Sequence, residues 1–480
     1  MSLKGYQPDP AFAGLGPDFA DAVEPADFPA AIARYWNDRW AGAVGLGGLT
    51  EEERAAHFHR FEPLPDNLKK PLALRYHGHQ FRTYNPQIGD GRGFLYAQLR
   101  DDTGRLLDLG TKGSGQTPYS RSGDGRLTLK GAVREILAAS MLEALGVNTS
   151  KIFAVYETGE QLHRGDEPSP TRSAVMTRLS HSHVRIGMFQ RHAYFNRPDL
   201  IEALMDYAIV HFHPEAAGGE TPERAANFLK AVCAAQAKLC AEWMAAGFVH
   251  GVLNTDNLVV TGESFDYGPW RFLPTFQMGF TAAYFDETGL YAYGRQPESV
   301  LWALEQLAGC LTLIGEEESL VAALMTFPDA YRAAIHEAWL RRLGLQPLEA
   351  ASDEAFITAF LNFMRESQLP FEAVIFDWFC GTASQKRAMA GPRASAYSAS
   401  AFAPVLEGFR ARAPERPERV SHAYFARENP VHMVIEQVEG LWAPIAENDD
   451  WSAFHAMLGS IDMARQGYDL SAGRAGFLPG

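Results

Sequence analysis

The stretch HGVLNTDNLVVTGESFDYG, residues 250–268, carries the pattern that decides the fold. It places an amide and a carboxylate nine residues apart, at Asn257 and Asp266, and a Tyr-Gly pair follows the carboxylate. Amide and carboxylate oxygens are ligands that a hard divalent cation such as Mg²⁺ prefers. The stretch therefore predicts two loops that hold a divalent cation between them.

The same spacing is typical of the catalytic loop of protein kinases and of the D-F-G turn that follows it, with D-Y-G in place of D-F-G. His250 lies seven residues before Asn257, where the H-R-D-x-x-x-x-N loop has its histidine. The position of the catalytic aspartate is then Val252, whose side chain accepts no proton. The pattern predicts the metal-binding half of a kinase site without its usual base. It indicates chemistry on ATP other than ordinary phosphorylation.

Composition limits the partners of the chain. The 480 residues are enough for two or three domain-sized units, and 46% hydrophobic and 21% charged residues are ordinary for a globular protein. A formal net charge of −15 argues against broad attraction to nucleic acid or to an anionic membrane. Any site for a phosphate-bearing ligand must therefore be a local basic pocket in an acidic molecule.

The sequence has no signal for a membrane or for export. No run of 18 apolar residues is present, and the first residues, MSLKGYQPDPAFAG, contain no apolar segment typical of a secretory signal. The cysteines form no C-x-x-C pair, and we interpret them as buried thiols: Cys233, Cys240, Cys310 and Cys380. We expect a cytoplasmic protein.

Residue patterning divides the chain into a sheet-forming part and a helical part. Residues 1–70 have one helical pattern, at 28–43. A glycine turn then precedes four predicted strands, at 94–99, 105–109, 151–159 and 173–180. Apolar residues at helical spacing predict one helix among these strands, at 127–147, with Gly146 as its C-terminal cap.

Beyond residue 186 the pattern is mainly helical. Predicted helices lie at 225–246, 298–314, 353–366 and, divided at Pro328, 320–343. Residues 381–428 are rich in Ala, Ser, Arg and Pro and predict a loop or a mobile crossing segment. The last 50 residues predict one or two closing helices.

Two further motifs precede residues 250–268, in the chain order of a kinase. The G-D-G-R-G turn of residues 89–93 lets backbone N–H groups approach a phosphate, and Arg92 adds a guanidinium that can grip it. On its own, such a turn is more often only a turn. Lys112 follows, and Glu135 lies 23 residues further on, in the predicted helix. They are either solvated side chains or the Lys–Glu ion pair of a kinase, and the order of the motifs favours the pair.

The remaining candidates are charged or imidazole side chains around these motifs. Arg178 and Arg185 are either surface arginines or two cations aimed at polyphosphate. Asp256 is the one carboxylate in residues 250–258, and it is either an exposed loop side chain or a proton acceptor. Three histidine pairs have the spacing of metal ligands but no partner carboxylate, namely His77 and His79, His181 and His183, and His211 and His213.

Four runs of sequence closely resemble the selenoprotein O family over roughly residues 70–310. They are YHGHQFRTYNPQIGDGRG, LDLGTKGSGQTPYSRSGDGRLTLKGAVREIL, HGVLNTDNLVVTGESFDYGPW and YAYGRQPESVLWALEQLA. The resemblance implies a pseudokinase that binds ATP in a flipped orientation and transfers AMP, rather than phosphate, to Ser, Thr or Tyr hydroxyls of protein substrates. It also implies Mg²⁺ or Mn²⁺ as the cofactor.

The resemblance further assigns roles to individual residues. It implies Asp256 as the proton acceptor, Asn257 and Asp266 as metal ligands, and Glu135 as the partner of Lys112. The implied contacts to ATP come from Gly89, Gly91, Arg92, Lys112, Asp124, Gly125, Arg178, Arg185 and Asp266. On this basis the chain is expected to be α+β, with a protein-kinase-like two-lobed fold. The expected units are an N-terminal extension (1–70), a β-rich N-lobe with one inserted helix (71–185), a helical C-lobe (186–380) and a C-terminal extension (381–480).

The chain also departs from the family pattern and leaves alternatives open. Arg82 stands where the family has a glycine, the run PTFQMGF lacks an acidic start, and the C-terminal GRAGFLPG has no cysteine or selenocysteine. One alternative is a kinase that transfers the γ-phosphate, which would need a base at Val252. The other is a non-catalytic ATP-binding scaffold, which would not need the intact set of Lys112, Asn257 and Asp266.

Overall fold

The computed structural model describes residues 4–165, 167–474 and 476–478, and it is built around one large antiparallel sheet. Seven strands follow one another in the order β2-β4-β7-β8-β11-β10-β3, with β1 paired to β7 and β9 paired to β11. The strands are β1 (Gln7–Pro8), β2 (Ala20–Ala22), β3 (Ile32–Trp36), β4 (Leu72–Leu74), β5 (Gly78–Gln80), β6 (Thr83–Asn85), β7 (Leu95–Arg100), β8 (Leu106–Lys112), β9 (Leu127–Thr128), β10 (Lys151–Leu162), β11 (Thr171–Ser180), β12 (Phe248–Val249) and β13 (Arg271–Phe272).

The four predicted strands are confirmed as β7, β8, β10 and β11, whereas the helix predicted at 28–43 forms only over its last six residues. The first part of that segment contains the strand β3 instead. Ile32, Tyr35 and Trp36 are β-branched or aromatic residues that favour a strand, and β3 pairs with β10 through Tyr35 and Val155. Tertiary pairing here outweighs the helical propensity of the alanines.

The structure has sixteen α-helices in the part of the chain that it describes. They are α1 (Asp38–Ala43), α2 (Glu51–Phe58), α3 (Leu129–Ala144), α4 (Ile186–Tyr194), α5 (Pro198–Phe212), α6 (Thr221–Ala245), α7 (Gln296–Leu311), α8 (Glu317–Leu324), α9 (Phe327–Arg342), α10 (Ala350–Ser367), α11 (Phe371–Asp377), α12 (Gln385–Ala390), α13 (Ala394–Tyr397), α14 (Ala403–Ala411), α15 (Ile435–Asn448) and α16 (Ser452–Tyr468). None of the described helices combines the length and the apolar character needed to cross a bilayer.

The helix inserted among the strands is α3, as predicted. The Thr128 side chain caps its start by accepting a hydrogen bond from the backbone N–H of Gly131, at 3.1 Å. The helix ends at Ala144 with Leu145 as its cap, and Gly146, the predicted cap, follows one residue later in the left-handed conformation with φ +77°. Almost all of α3 is buried, including the charged side chain of Glu135, so the helix is fixed within the core.

The helical part is arranged around α6, which packs against α7, α8 and α9. The predicted helices at 225–246, 298–314 and 353–366 are confirmed as α6, α7 and α10. The pattern at 320–343 divides into α8 and α9, and Pro328 lies in the first turn of α9, where a proline ring is tolerated. All four cysteines are buried and free, and burial raises the pKa of the Cys233 thiol to about 12.

The prediction of a loop or mobile segment at 381–428 is wrong. This region contains α12, α13, α14 and several short 3₁₀ helices. Its aromatic side chains are buried, and the Phe409 ring stacks on the Trp378 ring with centroids 5.1 Å apart. Burial of these rings outweighs the loop-like composition. The last 50 residues form the two predicted helices, α15 and α16, and α16 packs against α3.

Candidate functional site

A cavity of about 720 Å³ brings together most of the residues singled out in the sequence. Ten of them line it, namely Gly89, Gly91, Arg92, Lys112, Asp124, Gly125, Arg178, Arg185, Asp256 and Asp266. Glu135 and Asn257 are not among the lining residues, but each lies directly beside one: Glu135 contacts Lys112, and Asn257 follows Asp256. Residues from the glycine turn, the sheet and the loop at 250–257 thus face one space.

The cavity is locally basic although the chain is acidic. Seven cationic side chains line it, from Arg92, Lys112, Arg121, Arg126, Arg164, Arg178 and Arg185, against four carboxylates, from Asp90, Asp124, Asp256 and Asp266. In a chain with a formal net charge of −15, this excess of cations is a local feature. This positive charge complements a polyphosphate. In a chain this acidic, such a ligand was expected only in a local basic pocket.

The buried end of the cavity is a four-membered charge cluster. Lys112, at the end of β8, pairs with the Glu135 carboxylate on α3, and its Nζ lies 2.6 Å from Asp266 Oδ1. Arg178, on the neighbouring strand β11, places its Nη1 3.4 Å from Asp266 Oδ1 and 3.8 Å from Glu135 Oε2. Lys112 and Arg178 are only 5% and 4% exposed. Lys112, Glu135 and Arg178 are therefore shielded from water, whereas Asp266 faces the cavity with 28% of its side chain exposed.

Asp266 is ionised in these surroundings. Burial alone would raise its pKa, but Lys112, Arg178 and Arg92 together outweigh that effect and hold the pKa well below its ordinary value. The residue also has a positive φ of +64°, an uncommon conformation for a residue with a Cβ. His250 fixes the turn, since its Nε2 lies 2.9 Å from the carbonyl oxygen of Phe265.

Arg185 is a third buried cation, and its partners were not predicted from the sequence. Its Nη1 lies 3.0 Å from Asp90 Oδ1 in the glycine turn, and its guanidinium stacks over the Tyr76 ring at 4.6 Å. The signal that could have identified Asp90 is its place inside G-D-G-R-G, next to glycines already singled out. No pattern in the sequence pointed to Tyr76.

The loop of residues 250–257 is held by its own side chains, which accept hydrogen bonds from the backbone of another segment. Thr255 Oγ1 accepts a hydrogen bond from the backbone N–H of His79 at 2.8 Å, and Asn254 Oδ1 accepts one from the N–H of Phe81 at 2.9 Å. Within the loop, Asn257 Nδ2 donates to the carbonyl oxygen of Val252 at 3.0 Å. That bond fixes the amide orientation and leaves the side-chain oxygen of Asn257 free to accept.

Asp256 differs from Asp266 because no cationic side chain in the described part of the chain forms an ion pair with it. Its Oδ1 is buried and has no hydrogen-bond partner among the described residues. Burial raises the pKa of Asp256 to about 6, although the nearby Arg185 acts in the opposite direction. A buried carboxylate oxygen without a partner is an unsatisfied acceptor that a ligand group can fill.

Two oxygen donors of the type that a hard divalent cation prefers lie at or beside this end of the cavity. Within the described part of the chain, the Asn257 amide oxygen accepts no hydrogen bond, and Lys112 and Arg178 engage only Oδ1 of Asp266, so Oδ2 remains available. No group of three or more His, Cys, Asp or Glu side chains that could hold a metal ion is found among the described residues. The histidine pairs are engaged separately; His77 lies 2.9 Å from Tyr84 Oη and His183 lies 3.1 Å from Asp108 Oδ2.

The outer part of the cavity consists of glycine turns and freer cations. A Cβ at Gly91 would lie 2.9 Å from the carbonyl oxygen of Tyr119, so the two segments meet in a space that only glycine allows. Gly125 has a φ of +71° and a similarly close neighbour. Asp124 pairs with Arg164 at 2.8 Å. Within the described residues, Arg92 and Arg121 line the cavity without an ion-pair partner. Arg92 is the arginine that the sequence predicted to bind phosphate.

Comparison with known proteins finds similarity across nearly the whole chain. A family model described as "Protein adenylyltransferase SelO" matches residues 3–462. "Protein nucleotidyltransferase YdiU" of Gloeobacter violaceus is 43% identical over 470 residues, 94% of each chain. The protein of the same name from Synechococcus elongatus is 42% identical over 471 residues, again 94% of each chain. The similarity therefore extends beyond the motifs around the cavity.

Proposed function

The chain belongs to the SelO family of protein adenylyltransferases, and we propose that it transfers AMP from ATP to Ser, Thr or Tyr hydroxyls of proteins and releases pyrophosphate. The observation that carries this is the cavity, where the cation-rich lining and the unpartnered Asp256 carboxylate face one space. If the triphosphate of ATP enters the cavity with its γ-phosphate first, the α-phosphorus lies between the cation-rich lining and the Asp256 carboxylate.

The proposed orientation of ATP follows from where the cations lie. Lys112, Arg178 and Arg185 are all 5% exposed or less, whereas Arg92 is exposed. Buried cations stabilise a leaving pyrophosphate best, because water does not screen the interaction there. The β- and γ-phosphates would therefore occupy the buried end, and the adenosine would extend outward along the glycine turns at Gly89, Gly91 and Gly125.

The reaction then needs a group that takes the proton of the incoming hydroxyl. We assign this role to Asp256, because the usual kinase position is Val252 and because the buried Oδ1 of Asp256 has no other partner. The hydroxyl oxygen bonds to the α-phosphorus as the bond to the bridging oxygen of pyrophosphate breaks. Glu135 keeps Lys112 in place, so it is a positioning residue.

Asn257 and Asp266 would hold Mg²⁺ or Mn²⁺ through the free amide oxygen and the free carboxylate oxygen. When bound, the ion supplies Lewis-acid stabilisation of charge on the phosphate oxygens.

We also propose a kinase-like division into lobes at about residue 185, with α3 and the sheet on one side and the helices around α6 on the other. In that arrangement β1–β3 of the first 70 residues join the sheet of the first lobe. A cytoplasmic location stays a prediction.

The test is the position of the label that reaches protein. The chain is incubated with Mg²⁺ or Mn²⁺ and with ATP labelled on either the α- or the γ-phosphate, together with a mixture of acceptor proteins. Transfer of the α-label alone is expected. Transfer of the γ-label would identify a kinase and overturn the proposal, and binding of ATP without transfer of either label would identify a scaffold.

A further inference from the structure

A hairpin beside the cavity forms its border at Asp256. Strands β5 and β6 pair with Gln80 opposite Thr83, and Gln80 lines the cavity. A Cβ at Gly78 would lie 2.9 Å from the hydroxyl oxygen of Thr255 and 3.5 Å from the backbone nitrogen of Asp256. The hairpin therefore packs directly on the backbone that carries the proposed proton acceptor.

Aromatic rings extend from the tip of this hairpin into solvent on one side. The Phe81 ring lies 5.7 Å from the Phe285 ring, which lies 5.1 Å from the Tyr284 ring. Phe285 is 48% exposed and Tyr284 is 84% exposed. Both belong to the segment that follows the turn at Asp266 along the chain.

A second row of rings extends from the other strand of the hairpin. The Tyr84 ring stacks on the Tyr194 ring at 5.6 Å, and the Phe195 ring lies 5.1 Å from that of Tyr194. Tyr194 and Phe195 are 57% and 51% exposed. We call these two rows together the aromatic surface, made of Phe81, Tyr84, Tyr194, Phe195, Tyr284 and Phe285.

The turn of the hairpin is held in an unfavourable conformation. Phe81 and Arg82 form its two-residue loop, with φ angles of +49° and +62°, which normally require Gly or Asn. Such strain persists only where surrounding contacts impose it. Here the Phe81 N–H is bound by Asn254, and Arg82 reaches Glu298 at 3.2 Å and the Trp302 ring at 5.3 Å. The strained turn thus presents Phe81 between the catalytic loop and the exposed rings.

Exposed clusters of this kind are typical of binding surfaces. Folded monomers seldom keep several large aromatic side chains together in water, and such side chains dominate the affinity of protein interfaces. An acceptor protein must bring its hydroxyl to Asp256, and the hairpin that packs on Asp256 contributes Phe81 and Tyr84, against which the exposed rings pack. An extended chain advances about 3.3–3.6 Å per residue, so side chains a few residues from the acceptor reach these rings.

We infer that the aromatic surface binds the protein substrate of the proposed reaction, and that it selects acceptor hydroxyls with an apolar or aromatic side chain about two to five residues away. The inference rests on the proposed function and adds a sequence preference to it. Aromatic and aliphatic side chains of the substrate would pack on the exposed rings while the hydroxyl enters the cavity.

The first measurement uses a library of synthetic peptides, each with one fixed Ser, Thr or Tyr and degenerate flanking positions. The peptides are incubated with the full chain, Mn²⁺ and ATP labelled on the α-phosphate. Enrichment of Phe, Tyr, Trp, Leu or Met at one or two fixed offsets from the acceptor is expected. Labelling without any preference for apolar residues would overturn the inference.

The second measurement compares variants on a selected peptide. Tyr284→Ala/Phe285→Ala and Tyr194→Ala/Phe195→Ala are expected to raise the KM for the peptide about tenfold or more, the effect of losing one interface hot spot. The matched control, Met389→Ala/Met463→Ala, removes two exposed apolar side chains from α12 and α16, and its KM for the peptide stays unchanged. The KM for ATP is expected to stay within about twofold in every variant, since none of these residues lines the cavity.

An unchanged peptide KM in both aromatic variants overturns the inference and leaves the proposed function intact. If the unmodified chain labels no peptide and no protein from α-labelled ATP, the proposed function fails and the inference fails with it. Sedimentation velocity tests whether a second copy of the chain, rather than a substrate, binds to the aromatic surface. Self-association that both aromatic variants abolish would show that this surface joins copies of the chain, and would also overturn the inference.

Discussion

The loop that carries Asp256 and the turn that carries Asp266 place two aspartates in one cavity in opposite surroundings. Asp266 contacts Lys112 and Arg178 within 3.4 Å, and these cations hold its pKa well below the ordinary value. Asp256 has a buried oxygen for which the described part of the chain offers no partner, and Thr255 and Asn254 in its loop accept hydrogen bonds from the backbone of a neighbouring hairpin. Two carboxylates in contrasting environments are suited to two tasks, one as a permanent anion and the other as a proton acceptor.

The largest expected effect is the loss of the permanent anion. In Asp266→Ala, the proposed metal ligand is gone and Lys112 and Arg178 keep only Glu135 as a shared partner, so AMP transfer is expected to fall by at least about a thousandfold. The measurement is the rate of α-label transfer at saturating Mn²⁺. Asp266→Asn is the matched control for shape, because it keeps an oxygen ligand without the charge, and it is expected to retain partial activity. Near-normal transfer by Asp266→Ala would remove this residue from the metal site.

Asp256→Asn is expected to affect the rate without affecting binding. The amide has the size of the carboxylate but accepts no proton, so kcat is expected to fall about 10²- to 10⁴-fold. Nucleotide affinity, measured by titration calorimetry with a non-hydrolysable ATP analogue, is expected to stay within about twofold. A change in affinity with an unchanged kcat would reverse the roles given to the two aspartates.

The charge cluster around Asp266 makes a separate prediction on stability. Lys112→Met leaves Glu135 buried without its closest partner, and Glu135→Gln leaves Lys112 with Asp266 alone. Lys112→Met is expected to reduce the free energy of unfolding by about 3–5 kcal/mol, and the double variant by less than the sum of the two single variants. Denaturant unfolding of the unmodified chain, the two single variants and the double variant measures this coupling. If the changes in unfolding free energy are additive, the interaction between Lys112 and Glu135 contributes nothing to stability.

The smallest effect concerns the hairpin that supports the Asp256 loop. Arg82 has a φ of +62°, so Arg82→Gly relieves backbone strain while losing an exposed ion pair with Glu298. The net expected change is a gain of about 0.5–1 kcal/mol in unfolding free energy. Gly48→Ala, in a region away from the cavity with free space around its Cβ, serves as the reference for an exposed glycine change. A destabilised Arg82→Gly would mean that the contacts of Arg82 outweigh the strain.

Much of this arrangement could be predicted from local sequence. The amide and carboxylate of residues 257 and 266, the lysine at the end of a strand and the glutamate in the next helix are motifs with fixed spacing. The strands β7, β8, β10 and β11 were predictable because alternating apolar residues and glycine turns define them. Local signals were sufficient here because each motif carries its own backbone requirement.

The remainder depends on contacts between distant segments, which no local pattern reports. Asp90 and Tyr76 surround Arg185 only after the sheet and the loops have assembled. The first part of the segment predicted as a helix at 28–43 contains a strand that pairs with β10, and the helix forms only at 38–43. Residues 381–428 have the composition of a loop and fold into helices because their aromatic rings find a buried surface. In each case tertiary packing overrides local propensity.

A crystal structure of the chain with Mg²⁺ and a non-hydrolysable ATP analogue tests the orientation of the nucleotide directly. We predict the γ-phosphate at the buried end, within hydrogen-bond distance of Lys112 or Arg178, and the α-phosphate beside Asn257 and Asp266. An adenine ring at the buried end, with the γ-phosphate at the cavity mouth, would contradict it.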